Sequence, residues 1–201
     1  RDFVPSALVF LLNGRPEIVR NFLLRVLDLR GQQSVLEGHT RARGLMPASF
    51  KVIAENGGER LDADFGDRAI GRVVPVDSAM WWLILLRAYV VASGDWGLVR
   101  SEAVQSAISE ILELYLRETF ESSPTLLVPD GAFMIDRRMG VYGHPLEIQA
   151  LFYGMLMSAR ELLRGCGAEP RLLDNLTIRI RALRSCVRDH YWVDRERLNA
   201  I

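Results

Sequence analysis

Asp77-Ser78-Ala79-Met80-Trp81-Trp82-Leu83-Ile84-Leu85-Leu86-Arg87-Ala88-Tyr89-Val90-Val91-Ala92-Ser93-Gly94 is the stretch that decides the fold class. Wound at 3.6 residues per turn, its apolar side chains cover most of the helix circumference, and such a helix must be covered on several sides. Asp77-Ser78 supplies a helix start and Gly94 a stop. Arg87 interrupts the apolar run, which is too short to span a bilayer. The segment therefore reads as a buried helix of a globular domain, and its cover must come from other helices.

The flanks supply them. Phe3–Leu12 is a helix candidate closed by Asn13-Gly14, and Pro16 suits the first turn of the next helix, where Ile18, Phe22, Leu23, Val26 and Leu27 recur at helical spacing. Ser101–Thr119 carries Val104, Ile108, Ile111, Leu112 and Leu116 in register, with Ser101 as candidate N-cap. Pro145 opens a helix to about Gly165, and Pro170–Tyr191 is another. Between the first and second pairs, Phe50–Ile53 and Arg60–Phe65 flank the turn Asn56-Gly57-Gly58 and predict a small β-hairpin. Thr125–Val128 reads as a short extended piece. The plan is all-α: successive antiparallel helix pairs with long polar loops. No fixed period survives, which argues against short-repeat solenoids and suits an (α/α) toroid. Met80–Val91 and Leu146–Met157 have the composition of inner helices, Ser101–Thr119 and Arg171–Arg188 that of outer ones.

The chain has 201 residues, formal net charge zero and 25% charged residues. A neutral balance argues against nucleic acid as a partner. Lys51 is the only lysine, an arginine bias that base composition of the gene explains better than function does. Cys166 and Cys186 form neither a disulfide framework nor a zinc pattern; both read as small core residues in a reducing compartment. His39, His144 and His190 lack acid or cysteine partners at metal-ligand spacing. No segment reads as a signal peptide, and the expected address is the cytosol. The chain starts at Arg1 inside an apolar pattern and stops at Ile201 without a stop signal, so a fragment, cut at both ends, is expected.

The chemistry concentrates in Asp130-Gly-Ala-Phe-Met-Ile-Asp-Arg-Arg-Met-Gly-Val-Tyr-Gly-His-Pro-Leu-Glu147. Asp136 stands between Ile135 and the arginines Arg137 and Arg138. An apolar surround raises a carboxyl pKa and arginines lower it, so the residues alone leave two readings open, a functional acid or a salt-bridged one. Asp77 before Trp81 reads equally as a helix cap and as an acceptor for sugar hydroxyls beside an aromatic wall. Asp2 occupies the same kind of position at the first helix. Tyr142 is a hydroxyl donor or a packing residue, and His144, one turn before Glu147, is structural or part of a polar pair.

Taken in order, Arg1-Asp2-Phe3-Val4-Pro5, Met46-Pro47-Ala48-Ser49-Phe50-Lys51, Ala63-Asp64-Phe65-Gly66, Ala69-Ile70-Gly71-Arg72, Pro75-Val76-Asp77-Ser78 with Trp81-Trp82, Pro124-Thr125-Leu126-Leu127, Met134-Ile135-Asp136-Arg137-Arg138-Met139-Gly140 and Gly143-His144-Pro145-Leu146-Glu147-Ile148-Gln149 resemble the blocks of alkaline/neutral invertases, glycoside hydrolase family 100. The resemblance implies an (α/α)6 toroid, incomplete here, of which residues 1–201 are part of one catalytic domain, and a cytosolic or organellar sucrose-cleaving enzyme without metal or organic cofactor. It assigns the proton donor to Asp136 and the general base to a glutamate beyond this stretch. Asp2, Asp77, Trp81, Arg137, Arg138, Tyr142 and His144 then line the sugar pocket. Sucrose is the expected partner, with no nucleic acid and no membrane; a homo-oligomer of the full-length protein stays open. Two other readings remain: a toroid glycosidase for another α-glucoside, and a non-enzymatic helical scaffold.

Overall fold

The computed structural model describes residues 2–30, 35–36, 39–40, 43–55, 57–66, 75–117, 121–122, 124–128 and 143–194. Helices dominate: α1 (Phe3–Leu12), α2 (Pro16–Asp28), α3 (Ser78–Ser93), α4 (Trp96–Arg100), α5 (Glu102–Tyr115), α6 (Leu146–Gly165) and α7 (Pro170–His190). Among the described residues three two-stranded antiparallel sheets accompany them, β1 (Val35–Leu36) with β2 (His39–Thr40), β3 (Ser49–Glu55) with β4 (Gly58–Asp64), and β5 (Glu121–Ser122) with β6 (Thr125–Leu126).

The apolar stretch is the helix the sequence predicts. α3 buries Met80, Trp82, Leu83, Leu85, Leu86, Tyr89 and Val90, and Gly94 closes it in the left-handed conformation, φ 72°. Each such side chain contributes about 1.5–3 kcal/mol of transfer free energy. α3 packs against α1, α2 and α6, which is why it can be apolar nearly all round.

Cross-contacts fix the sense of each helix. Arg87 pairs with Glu161, a Cβ on Gly154 would meet Ile84, and Gly165 packs under the Trp96 ring just past the end of α3. The pairs advance together along both chains, so α3 and α6 run parallel. Asp2 and Phe3 lie beside Ser78 and Trp81, so α1 starts at the same end. The returning helices run the other way. The Trp82 indole N–H donates to the Leu23 carbonyl of α2 at 3.1 Å. Tyr115, at the end of α5, donates to the Val76 carbonyl before α3, and Tyr191, after α7, donates to the His144 carbonyl before α6 at 2.6 Å. The N-termini of α1, α3 and α6 therefore share one end of the molecule.

Three details depart from expectation. α5 stops at Tyr115 rather than Thr119, and Ser101 sits at its N-cap position without a side-chain capping bond; its hydroxyl donates instead to the Leu98 carbonyl. The short helix α4 has no counterpart in the sequence reading, although its signal is there: Asp95 caps it, accepting from Leu98 N–H at 3.1 Å. Cys166 and Cys186 are half-buried rather than core residues: the first is the C-cap residue of α6, and the second lies one turn before the end of α7. The β3–β4 hairpin forms as expected and is longer, with Glu55 paired to Gly58 across the turn.

Candidate active site

A cavity of about 300 Å³ opens between the starts of α1 and α3, the second half of α2 and the entry to β3. Among the described residues its wall holds one carboxylate, Asp2, and an aromatic set: Phe3, Phe22, Phe50, Trp81 and Trp82. The rings support one another, with centroids 4.3 Å apart for Phe3–Phe22 and 6.1 Å for Phe22–Phe50. Aromatic faces beside a carboxylate and hydroxyls (Ser49 and Ser78 complete the polar rim) suit a ligand with apolar ring faces and a hydroxyl edge.

The helix starts explain the charge placement. Asp2 and Asp77 occupy the N-cap positions of α1 and α3, yet neither makes a side-chain capping bond to its helix. Two parallel helix N-termini still present partial positive charge there, which favours both carboxylates. Asp77 is fully buried and is not part of the cavity wall; Ser78 and Trp81, on its own first turn, are. Its charge reaches Tyr115, whose phenol is pushed well above its ordinary range first by burial and then by Asp77. Trp81 joins the wall as the sequence predicts, while its indole nitrogen and the Ser78 hydroxyl are buried without a hydrogen-bond partner among the described residues.

His144 stands at the same end of the molecule, one residue before the N-cap of α6, and not in the cavity wall. It belongs to a polar cluster that sequence reasoning missed. The Gln149 amide, fully buried, accepts from Leu126 N–H at 2.8 Å and donates to the Leu126 carbonyl at 2.9 Å. His144 Nδ1 lies 3.1 Å from that same carbonyl. Arg179, 92% buried by its 8% exposure, donates to the carbonyls of Pro124 and Thr125 and lies 5.7 Å over the Phe152 ring. The signal was legible in hindsight: Gln149 is one turn before Phe152 on the apolar stripe of α6, where a polar residue needs a dedicated partner.

Val128 and Gly143 exchange backbone hydrogen bonds of 2.7 and 3.1 Å, so the segment between them leaves and rejoins the described structure at one bridge. Asp136, Arg137, Arg138 and Tyr142 fall in that segment, outside the described residues. Among the described residues no group of three or more His, Cys, Asp or Glu could hold a metal ion, and no helix is long and apolar enough to cross a membrane.

Comparison with known proteins gives a consistent picture. Residues 1–201 match the family model for alkaline and neutral invertase. Probable alkaline/neutral invertase A, chloroplastic, of Arabidopsis thaliana is 50% identical over 206 residues, covering 100% of this chain and 32% of that protein. Neutral/alkaline invertase 3, chloroplastic, of Oryza sativa subsp. japonica is 51% identical over 208 residues, with 100% and 34% covered. Cytosolic invertase 1 of the same species is 50% identical over 203 residues, with 100% and 36% covered. The chain spans about a third of the length of these curated relatives.

Proposed function

Because this chain belongs to the family of alkaline and neutral invertases, we propose that the whole protein hydrolyses sucrose to glucose and fructose, with Asp136 as the proton donor. Asp136 protonates the glycosidic oxygen as its bond to the anomeric carbon breaks. A second carboxylate, in the part of the relatives' length that this chain does not span, takes a proton from the water that attacks the opposite ring face. Asp2 accepts sugar hydroxyls, Trp81 offers a ring face, and Asp77, behind it, fixes the wall. His144, outside the wall of this cavity, and Arg137, Arg138 and Tyr142 are the further sugar contacts of this reading.

One observation carries the reading: the N-termini of three parallel helices meet at one end, and there Asp2 and Trp81 share an aromatic cavity of sugar size. Three helix pairs suit half of an (α/α)6 ring, and in this reading residues 1–201 are part of a single toroidal catalytic domain. A cytosolic address suits two unpaired cysteines, while the relatives' names include chloroplastic and mitochondrial forms.

The test is Asp136→Asn in the full-length protein. Positioned acid catalysis is worth about 10²- to 10⁴-fold, and sucrose turnover should fall by that much. Turnover near that of the unmodified protein refutes the assignment. Cleavage of maltose or trehalose in place of sucrose would move the protein to another toroid glycosidase class.

A further inference from the structure

We infer that Gln149 is a positioning residue for glycoside cleavage, acting through the Leu126 peptide on His144 and on the bridge that bounds the Asp136 segment. This inference rests on the invertase reading above.

The hydrogen-bond chemistry is closed at every atom. Leu126 N–H can only donate, so the Gln149 atom facing it is the oxygen Oε1 at 2.8 Å. The Leu126 carbonyl can only accept, so Gln149 presents Nε2 to it at 2.9 Å. The amide orientation is thereby fixed from both sides. The same carbonyl takes His144 Nδ1 at 3.1 Å, which requires a hydrogen on Nδ1. In neutral His144 the remaining nitrogen, Nε2, then carries the lone pair and is the acceptor the ring can offer to a sugar hydroxyl. Tyr191 holds the His144 carbonyl, and Arg179 holds the two residues before Leu126.

Two residues past Leu126, Val128 bridges to Gly143, the neighbour of His144. One buried amide therefore ties together both ends of the segment that carries Asp136 and the tautomer of the histidine that follows it. No other described side chain bonds both the N–H and the carbonyl of Leu126.

Three measurements on the full-length protein test this. In the unmodified protein, nitrogen NMR with imidazole-labelled histidine should find His144 Nδ1 carrying a hydrogen at neutral pH; a bare Nδ1 overturns the inference and needs no catalytic readout. Gln149→Leu should lower kcat roughly ten- to a hundredfold, the scale of a misplacement of about 1 Å, while KM changes less. Gln149→Glu keeps the acceptor and loses the donor until its carboxyl is protonated. Its kcat relative to the unmodified protein should therefore rise as pH is lowered. A ratio that stays flat with pH, or kcat within twofold of the unmodified protein at neutral pH in either folded variant, overturns the inference. Asp136→Asn measured alongside separates the failures: if it remains active the invertase assignment falls, whereas an inactive Asp136→Asn with active Gln149 variants removes only the positioning role.

Discussion

Gly44 packs on the main chain of Glu110 so closely that a Cβ at residue 44 would stand 2.4 Å from the Glu110 carbonyl oxygen. Its φ of 81° lies in the left-handed region that glycine alone enters freely. Around this contact the Glu110 carboxylate takes Arg30 at 3.1 Å, Arg43 at 3.3 Å and the Ser106 hydroxyl at 3.0 Å. The contact seats the chain on α5 just before Pro47–Phe50, which form one wall of the cavity.

Gly44→Ala should therefore destabilise the protein by about 2–6 kcal/mol, since a backbone clash of about 1–3 kcal/mol adds to left-handed strain of about 1–3 kcal/mol. Urea unfolding measures it. A change under 1 kcal/mol would mean that residue 44 moves freely off α5.

Tyr115 predicts alkaline sensitivity. Burial and the Asp77 charge raise its folded pKa above the unfolded value of about 10. The folded state holds the proton more tightly, so this contribution is intact below about pH 10 and is lost as pH rises beyond it. Tyr115→Phe should cost about 1 kcal/mol at pH 8, where the Val76 carbonyl loses its donor, and should flatten the fall in stability between pH 9 and 11. Equal alkaline slopes for the two proteins would exclude Tyr115 as the cause.

Asp95 predicts the opposite limb. The Tyr89 hydroxyl bond, then the Leu98 N–H bond and Arg20, hold its carboxyl below the usual range. The stabilisation is present above the unfolded pKa of about 4 and is lost as pH falls through the lower folded value. Asp95→Ala should cost about 1 kcal/mol at pH 7, as the loss of a helix cap does, and less at pH 2.5. Thermal melts at both values check this.

Trp81 and Asp2 should affect sugar binding before they affect folding. Trp81→Ala and Asp2→Asn in the full-length protein are expected to weaken sucrose binding roughly tenfold each, on the scale of one stacking or hydrogen-bonded contact. Unchanged KM and kcat in both would detach the cavity from catalysis.

Core and surface should separate cleanly. Phe152 is fully buried on α6 beneath Arg179 of α7, and Phe152→Ala should cost about 3–5 kcal/mol. Leu12 is 87% exposed on α1, and Leu12→Gln should change stability by under about 0.5 kcal/mol. A large loss from Leu12→Gln would show that the exposed side of α1 is covered in solution.

The sequence by itself determined the helical class, the ends of nearly every long helix and the place of the β3–β4 hairpin, because these follow from local periodicity and from Gly, Pro and Asn at defined places. It also singled out Asp2 and Trp81, which the fold brings to one cavity. The tertiary structure alone decided that α1, α3 and α6 run parallel, that Phe22 and Phe50 wall the cavity with them, and that Asp77 lies behind that wall. It alone decided that Gln149, Arg179 and Tyr191 serve backbone groups far away in sequence. The reason is physical: a hydrophobic period says which face of a helix is buried, but burial is non-directional, and only the packed chain chooses which partner meets each polar group left inside.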